Sequence, residues 1–384
     1  MTEKNLYIIT EPSYVTSAWF SGSIKALYDT AGKNHLNIVQ LEKIQDIASL
    51  PPCVRSVIIV SSSSDWTQYV INMLSTRNIK PLLIGAVPNK FGEAVSGIVI
   101  NRGTVIEEMV HYFYSGGRRR IAMVGIRRAA SNDIVKRDAF LSAGQYLGLG
   151  SSEDDVFYIS NDIVDAVDAF LDKVSFYDGA LCANDYIGAC LIRHAQLRGV
   201  HVPEDLWVSG FGNLLMGMCS SPSLTTTSID YTEMGTQAIN LWKILDRSDG
   251  IYQVTASVKC NLIIRGSTNN QESDANARLN IPHLVHEQKY SVGAVHSELQ
   301  CLENCLRQCD ELDYKIITAL FEGSSYEAIE DNLYISHGTL RYRLKKMYVA
   351  SGVEDKKAFL QLLGNYVPNV QFLSGLFAGS EKED

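Results

Sequence analysis

A row of basic side chains near the carboxyl end of the sequence could bind the phosphates of a nucleic acid. Leu340, Leu344 and Met347 follow the spacing i, i+4, i+7, which predicts the buried face of a helix. The side chains that then point outward are Arg341, Arg343, Lys345 and Lys346. Cations on an exposed helix neutralise phosphates, and arginine and lysine also donate to the acceptors of guanine in the major groove. A helix face that merely contacts solvent is the alternative interpretation.

Polar and aromatic side chains form a second candidate site at the ends of predicted strands. Short apolar runs alternate with amphipathic stretches between residues 6 and 266, which predicts βα units around parallel sheets. The predicted strands are residues 6–9, 56–60, 81–84, 97–100, 121–124, 179–182 and 206–209. Open α/β sheets bind ligands at the carboxyl ends of their strands. The candidate ligand-binding residues at those ends are Tyr14, Trp19, Ser61, Arg137, Asn184, Asp185 and Asn213.

Several of these side chains also have a purely structural interpretation. Asn184 and Asp185 precede a predicted helix and could cap it instead of contacting a ligand. Arg137 could form a salt bridge within the fold. Tyr14 and Trp19 could stack on a ring of the ligand or lie in the core.

Short helices surround the basic helix and favour an interpretation as a DNA-binding domain. Residues 310–323 and 325–333 predict helices that begin at capping residues, and residues 356–365 predict a last helix. Residues 335–338 form a tight turn before the basic helix. Two helices joined by a tight turn are the helix-turn-helix arrangement. The predicted domain and the tail that follows it are residues 310–368 and 369–384.

A linker and a connector helix are predicted between the two candidate sites, at residues 267–309. Residues 267–280 are polar and contain few strand-forming residues. From Val292 to Cys309 apolar residues then alternate at spacings of three and four, the seam of a short coiled coil. This helix either pairs with a second copy of the chain or packs on its own chain. Its row of Cys301, Cys305 and Cys309 is typical of helix packing, although such a row could bind a metal or be oxidised across a dimer.

Composition excludes several classes of protein. The 384 residues are 46% hydrophobic and 20% charged with a net charge of -9, as in ordinary globular chains of two to three domains. No apolar run approaches the about 18 to 20 residues that span a membrane. The eight cysteines include no CxxC pair, which favours a reducing, cytoplasmic location. Because GxSxG, HExxH and P-loop motifs are missing, we expect no enzyme, no cofactor and no metal site.

The carboxyl-terminal helices resemble a known family. Residues 328–340 (AIEDNLYISHGTL), Leu344-Lys345 and Gly352-Val353 resemble the LuxR-type four-helix DNA-binding domain. The resemblance implies DNA contacts at Arg341, Tyr342 and Lys345, with phosphate contacts from flanking residues. The full predicted DNA-binding set is Ser336, Thr339, Arg341, Tyr342, Arg343, Lys345 and Lys346. Arg343 stands where histidine is frequent and Asp313 where glutamate is usual, which affects the operator sequence more than the fold.

The first 266 residues resemble the LacI/GalR-type regulators and the periplasmic sugar-binding proteins of the type I fold. The segments that carry this resemblance are residues 117–125 (GRRRIAMVG), 137–140 (RDAF), 182–185 (CAND), 198–211 (RGVHVPEDLWVSGF) and 222–226 (PSLTT).

This second resemblance implies an α/β sensor of two doubly wound lobes that three chain segments connect, with a ligand between the lobes. The implied lobes are residues 5–117 with 230–247 and residues 118–229 with 248–266. Family members bind ligand hydroxyls at positions matching Arg137, Asn184 or Asp185, and the pair after Phe211. Here Gly212-Asn213 replaces the usual aspartate of that pair, so the ligand class stays open.

Together these patterns predict a ligand-responsive transcription regulator: a two-lobed α/β sensor followed by an all-α helix-turn-helix domain. We expect double-stranded DNA, a small polar effector that is sugar-like or related, and a second copy of the chain as partners, and no membrane. Since the first strand begins at Leu6, the hinge-helix mechanism of LacI-type regulators is not expected. An adaptor whose helical domain docks a protein, and an enzyme on the same fold, are the alternatives.

Overall fold

This computed structural model describes residues 4–12, 18–92, 94–128, 130–248, 250–268, 293–370 and 373. The strands are β1 (Lys4–Thr10), β2 (Leu36–Leu41), β3 (Ser56–Val60), β4 (Lys80–Ile84), β5 (Ser96–Ile100), β6 (Ile121–Ile126), β7 (Val156–Tyr158), β8 (Gly179–Cys182), β9 (Trp207–Ser209), β10 (Thr226–Ile229), β11 (Thr255–Val258) and β12 (Cys260–Ile263). The helices are α1 (Ala18–Lys33), α2 (Ser64–Ser75), α3 (Arg102–Ser115), α4 (Ser131–Tyr146), α5 (Ile163–Leu171), α6 (Asp185–Leu197), α7 (Leu215–Cys219), α8 (Tyr231–Arg247), α9 (Ala294–Arg307), α10 (Glu311–Phe321), α11 (Tyr326–Leu333), α12 (His337–Ser351) and α13 (Lys356–Tyr366).

Lobe 1 is built on a parallel sheet of six described strands in the order β11-β5-β4-β3-β1-β2. The central strand β3 reads SVIIV, and all five of its residues are buried. A strand that helices cover on both faces needs no polar alternation, which explains its continuous apolar run. Helix α8 packs against α1 and against β3, β4 and β5, so it belongs to this lobe.

Lobe 2 is built on a parallel sheet of four described strands in the order β7-β6-β8-β9. All six residues of β6 are buried. Helix α3 packs along α4, and its Tyr112 and Phe113 rings contact the indole of Trp207 on β9. Strands β10 and β12 form an antiparallel pair beside this sheet.

The two-lobed α/β fold that the sequence predicts is confirmed, but two elements belong to the other lobe. Helix α3 was expected in lobe 1 and lies in lobe 2, where its apolar face covers α4 and Trp207. Strand β11 was expected in lobe 2 and extends the sheet of lobe 1, where it pairs in parallel with β5. Within the described residues, the chain therefore passes between the lobes near residues 101, 230 and 259.

The predicted linker starts later than residue 267. Ser267 is fully buried in lobe 2, where its Oγ donates to the Val208 carbonyl at 2.6 Å and accepts from the Thr225 N–H at 2.8 Å. Thr268 is also buried, with its Oγ1 2.7 Å from Thr225 Oγ1. The rest of the predicted linker, Val292 and most of the predicted tail lie outside the described residues.

Helix α9 packs on its own chain, which is one of the two interpretations of the seam. Leu299, Leu302 and Leu306 are fully buried, and the helix contacts α5, α6 and α7 of lobe 2 on one side and α12 on the other. Cys305 Sγ donates to the Met347 carbonyl at 3.4 Å, so helix packing accounts for this cysteine. The seam residues of α9 are thus covered within one copy of the chain.

Helices α10 to α13 follow the predicted arrangement of short helices. Helix α11 ends at Tyr334, which has a left-handed backbone with φ of 54°, and Ser336 caps α12 after the turn. Helix α13 packs on α6, where Arg193 Nη2 donates to Asn365 Oδ1 at 3.2 Å. None of the helices in the described part of the chain has the length and apolar content to cross a membrane.

Candidate functional site

The lobe 1 wall of the cleft contains two of the predicted ligand-binding residues. Ser61 follows β3, is fully buried, and has its Oγ 2.7 Å from Thr67 Oγ1. The Trp19 ring lies against Gly85 at the end of β4, since a Cβ added there would stand 2.6 Å from the ring and 2.5 Å from the Ser61 carbonyl oxygen. Gly85 also has a φ of +102°, a backbone that favours glycine. Predicted residue Tyr14 lies outside the described residues.

A polar bridge joins the lobes next to this wall. Glu11 is buried at the end of β1, and its carboxylate accepts from the N–H groups of Ser62 at 2.9 Å and Ser63 at 3.0 Å. Asn132, at the start of α4 in lobe 2, donates from Nδ2 to Ser62 Oγ at 3.0 Å. The two lobes are therefore in direct contact at the carboxyl ends of β1 and β3.

The side chains of Asn184 and Asp185 accept hydrogen bonds from backbone N–H groups of lobe 2. Asn184 caps α6, because its Oδ1 accepts from the Ile187 N–H at 3.1 Å. Asp185 is fully buried and accepts from the Leu214 N–H at 2.6 Å and from the Thr226 hydroxyl. Burial raises the pKa of Asp185 to about 6, although these two hydrogen bonds oppose the shift. The carboxylate of Asp185 is thus bonded within the fold, and its contact with a ligand stays a prediction.

Asn213 lies on the loop after β9, and the oxygen of its side-chain amide accepts a hydrogen bond within the fold. Its backbone is left-handed, with φ of 53°. Its Oδ1 accepts from Arg265 Nη2 at 2.6 Å, and its N–H donates to Thr226 Oγ1 at 3.3 Å. Because Arg265 occupies the amide oxygen, the amide nitrogen is the part of this side chain that can serve a ligand.

Arg137 forms a partly exposed salt bridge, whereas its neighbour Lys136 is buried. Arg137 donates to Asp138 Oδ1 from Nε at 2.9 Å and from Nη2 at 2.6 Å, the salt bridge that the sequence left open. Hydrogen bonds to Tyr158 and Asp138 raise its pKa above the usual value. These bonds correspond to the structural interpretation of Arg137, and its ligand contact stays a prediction.

Lys136 is 6% exposed and is the cation that sequence reasoning missed. Its Nζ donates to the Ala183 carbonyl at 2.7 Å and to Asp133 Oδ1 at 3.2 Å, and it lies 4.5 Å from the centre of the Phe211 ring. Burial lowers the pKa of Lys136, against the charge of Asp133. The sequence did contain a signal for the burial of Lys136, because this residue precedes buried Phe140 by four residues and so lies on the same face of the helix.

Arg102 is a second cation that sequence reasoning missed. It is the first residue of α3, at one of the passages between the lobes, and is 6% exposed. Tyr231 and Cys260, at the other two passages, act electrostatically on its guanidinium, as does Asp133. Burial lowers the pKa of Arg102. No sequence signal could reveal this group, since its surroundings form only when all three passages meet.

Helix α9 is bonded to the carboxyl ends of the lobe 2 strands. The Asp162 carboxylate accepts from the Val295 N–H at 2.8 Å and the His296 N–H at 3.3 Å, which caps the start of α9. His296 is buried, with its Nδ1 2.8 Å from Arg127 Nη2 at the end of β6. Burial and the charge of Arg127 lower the pKa of His296 to about 4. His296 is therefore neutral near pH 7 and can accept from Arg127.

A fully buried carboxylate on α9 also holds the loop that carries Asn213. Glu303 accepts from the N–H groups of Leu215 at 2.9 Å and Met216 at 2.8 Å, at the start of α7. Arg307 compensates this charge, donating from Nε to Glu303 Oε1 at 2.8 Å. The start of α7, next to the loop after β9, is thus joined to α9 by hydrogen bonds from two backbone N–H groups to a buried carboxylate.

The outward face of α12 carries most of the predicted DNA-binding residues. Leu340, Leu344 and Met347 are buried, as their spacing predicts. The exposed residues are Ser336, Thr339, Arg341, Tyr342, Lys345 and Lys346. Ser336 also caps α12, because its Oγ accepts from the Thr339 N–H at 3.1 Å.

Arg343 differs from the other basic residues of α12. Its Nη1 lies 2.8 Å from Asp310 Oδ2 and 2.8 Å from Asp313 Oδ1, at the start of α10. These bonds raise the pKa of Arg343 and direct its guanidinium to α10. This side chain holds α12 to α10, and its DNA contact stays a prediction.

The two α/β lobes with their parallel sheets form a periplasmic-binding-protein-like fold. Residues 110–268 match the family model described as a periplasmic binding protein-like domain. This match ends at Thr268, so helices α9 to α13 lie beyond it.

Among curated proteins the chain is similar to transcription regulators. It is 27% identical over 205 residues to the HTH-type transcriptional repressor CytR of Escherichia coli (strain K12), covering 50% of this chain and 57% of CytR. It is 24% identical over 212 residues to the repressor PurR of Histophilus somni (strain 129Pt), covering 54% and 60%. The NTD biosynthesis operon regulator NtdR of Bacillus subtilis (strain 168) is 38% identical over 88 residues, covering 22% and 26%. The chain thus spans less than two thirds of these relatives.

Solved structures share the fold. The transcriptional regulator CelR in complex with cellobiose superposes with a TM-score of 0.58 at 17% identity, covering 70% of this chain and 86% of CelR. The Lac repressor dimer bound to operator and the anti-inducer ONPF superposes with a TM-score of 0.58 at 14% identity, covering 70% and 94%. At these identities the likeness concerns the fold.

Proposed function

We propose that this chain is a ligand-responsive transcription regulator of the cytoplasm, in which the lobes sense a small molecule and residues 310–368 bind DNA. The observation that carries this proposal is the position of α9. This helix is bonded through Glu303 to the loop after β9 and packs on the opposite side against α12. One buried helix therefore contacts both the candidate ligand loop and the candidate DNA-binding helix.

The similarity to repressors supports the sensing part of the proposal. CytR and PurR are named as transcriptional repressors, and residues 110–268 of this chain match the periplasmic binding protein-like family model. This similarity also favours a binding function over catalysis. We propose that the effector binds between Trp19 of lobe 1 and Lys136 and Asn213 of lobe 2.

The charge and shape of α12 support the DNA-binding part. Arg341, Lys345 and Lys346 are exposed on one helix, which follows a tight turn and begins at the capped residue Ser336. Side chains at the start of a recognition helix contact bases, and flanking hydroxyls and cations contact phosphates. We propose direct contacts from Arg341, Tyr342 and Lys345, consistent with the LuxR-type resemblance.

We further propose that ligand acts by shifting the balance between two arrangements of the lobes. Because α9 and α13 are bonded to lobe 2, the DNA-binding domain moves with that lobe. A change in the contact between Asn132 and Ser62 would then change how two copies of the chain place their α12 helices on paired half-sites. The effector shifts this balance by its difference in affinity for the two arrangements.

Selection of DNA sequences tests the proposal. The full chain is mixed with a pool of random duplexes at a low and a high salt concentration, and bound duplexes are sequenced. We expect enrichment of a two-fold symmetric motif and an affinity that decreases steeply as salt increases, because phosphate contacts release counterions. Absence of an enriched motif would contradict DNA reading.

A protein-docking adaptor is the second candidate. Tyr342 and Val349 are 71% and 72% exposed on α12, and large exposed apolar side chains suit a protein interface. An adaptor predicts no enriched duplex in the same selection. It also predicts tolerance of alanine at Arg341 and Lys345.

A further inference from the structure

Two buried cations lie close together between the lobes of the sensor. Arg102 and Lys136 are each 6% exposed, and burial together with the charge of Arg102 lowers the pKa of Lys136. Lys136 is held by the Ala183 carbonyl and by Asp133. The Arg102 guanidinium makes no side-chain hydrogen bond in the part of the chain that the structure describes. A guanidinium has five N–H donors, so its hydrogen-bonding capacity is unused.

The Asp133 carboxylate near the two cations already accepts hydrogen bonds from other groups. Asp133 acts on both cations, but its Oδ1 accepts from Lys136 at 3.2 Å and its Oδ2 accepts from the Arg127 N–H at 3.2 Å. One carboxylate cannot neutralise two cations. Arg102 also begins α3, and the amino terminus of a helix adds positive potential. Arg102 and Lys136 therefore share the single carboxylate of Asp133, while the buried Glu11 carboxylate at the lobe 1 wall accepts from backbone N–H groups.

Buried arginines elsewhere in the chain show what a purely structural guanidinium looks like. Arg265 is 8% exposed and donates to the Leu224 carbonyl at 2.9 Å and to Asn213 Oδ1 at 2.6 Å. Arg307 is buried in an ion pair with Glu303 at 2.8 Å. Burying a cation without a partner is unfavourable, and the fold avoids it at both of these sites. Arg102 differs from both, because its guanidinium makes no side-chain hydrogen bond with the described residues.

We propose that the effector of this chain carries a carboxylate or phosphate group, and that Arg102 binds that group with the help of Lys136. A planar guanidinium donates two parallel hydrogen bonds to either anion, and the lysine ammonium adds a point charge. Trp19 and Phe211 then contact the rest of the molecule. This inference rests on the proposed function, because it assumes that the cleft between the lobes is the sensing site.

Thermal unfolding of the full chain tests the inference with simple probes. Inorganic phosphate, citrate and uncharged glucose are added separately, with potassium chloride to match ionic strength. A ligand that binds only the folded chain raises its Tm. We expect phosphate or citrate to raise the Tm by about 3 °C at saturation, and glucose to leave it unchanged.

Substitutions assign that response to Arg102. In Arg102→Gln the anion-dependent increase in Tm is lost, while Arg102→Lys retains part of it and shows that the site still folds. The matched control is Arg198→Gln, whose guanidinium pairs with Asp168 and Asp172, and this variant retains the full increase. A response to phosphate assigns a phosphate group, and a response to citrate alone assigns a carboxylate.

Two results would overturn the inference: no increase in Tm with either anion, or an equal increase in wild type and Arg102→Gln. The same preparations are then tested for binding to the selected duplex. If duplex binding holds without an Arg102-dependent response, the anionic effector alone is wrong. If no duplex is selected at all, the proposed function fails first.

Discussion

Lys136 and Arg137 are neighbours on α4, yet their side chains enter opposite environments. Lys136 is buried against the Ala183 carbonyl and the Phe211 ring, whereas Arg137 forms a partly exposed salt bridge with Asp138. A shift of one residue on a helix turns a side chain by about 100°, so adjacent residues of one charge can have different functions. The environment of each basic side chain must therefore be read from its own contacts.

Asp185 makes the stability of the chain depend on pH. Its pKa is about 6 in the folded chain against 3.8 for the free group, so the folded state binds more protons between these values. The free energy of unfolding that Asp185 contributes therefore decreases as pH rises through this range and stays low above it. We predict that Asp185→Asn removes this slope. Relative to the variant, wild type loses about 3 kcal/mol between about pH 4 and pH 7.

Denaturant unfolding of both proteins at a series of pH values measures that difference. The comparison cancels the titration of every other group that the substitution leaves unchanged. A difference that does not vary with pH would contradict the assignment. A difference that grows as pH rises would contradict its sign.

Arg343 and Arg341 are predicted to separate stability from DNA binding. Arg343→Ala leaves the nearly buried carboxylate of Asp313 without its partner, and we expect a loss of about 1 to 2 kcal/mol in unfolding free energy. Arg341 is exposed, so Arg341→Ala is expected to change stability by about 0.5 kcal/mol or less and to weaken DNA binding. Denaturant unfolding and duplex titration of both variants check this. Equal loss of DNA affinity with unchanged stability in both would contradict it.

Among the helices, α9 makes the connection on which the proposed relay depends. Its amino terminus is capped by Asp162 of lobe 2, its middle holds α7 through Glu303, and it packs on α12. A helix fixed at both ends transmits a displacement better than a flexible linker does. Its amphipathic seam is used inside one copy of the chain, so pairing of two copies needs another surface.

Glu303→Gln tests this element. The substitution leaves buried Arg307 without its countercharge, and we predict a loss of about 3 to 5 kcal/mol in the free energy of unfolding. The matched control is Glu311→Gln, which removes an exposed i, i+4 ion pair with Lys315 on α10 and is expected to cost about 0.5 kcal/mol. Denaturant unfolding compares them. A Glu303→Gln variant as stable as the control would show that the buried pair does not hold α9.

In the whole molecule, local patterns predicted the elements and long-range contacts decided their places. The apolar run of β3 and the i, i+4, i+7 spacing of α12 were sufficient to predict these two elements, because each pattern reflects the burial of a single segment. Strand β11 reads TASV, with polar residues at an edge of the sheet, and carries no such signal. The groups that surround Arg102 and Glu303 come from distant parts of the sequence. The roles of these two residues depend on long-range contacts, which a single sequence does not reveal.

We propose that the lobes form a sensor and that helices α10 to α13 form its output domain, and DNA binding by α12 is the central claim of this proposal. The most direct test is the affinity of the full chain for its selected duplex in wild type, in Arg341→Ala/Lys345→Ala and in the control Lys315→Ala, whose cation lies on α10. We predict a loss of about 100-fold for the double variant and no loss for the control. Equal affinity in all three proteins would contradict the claim.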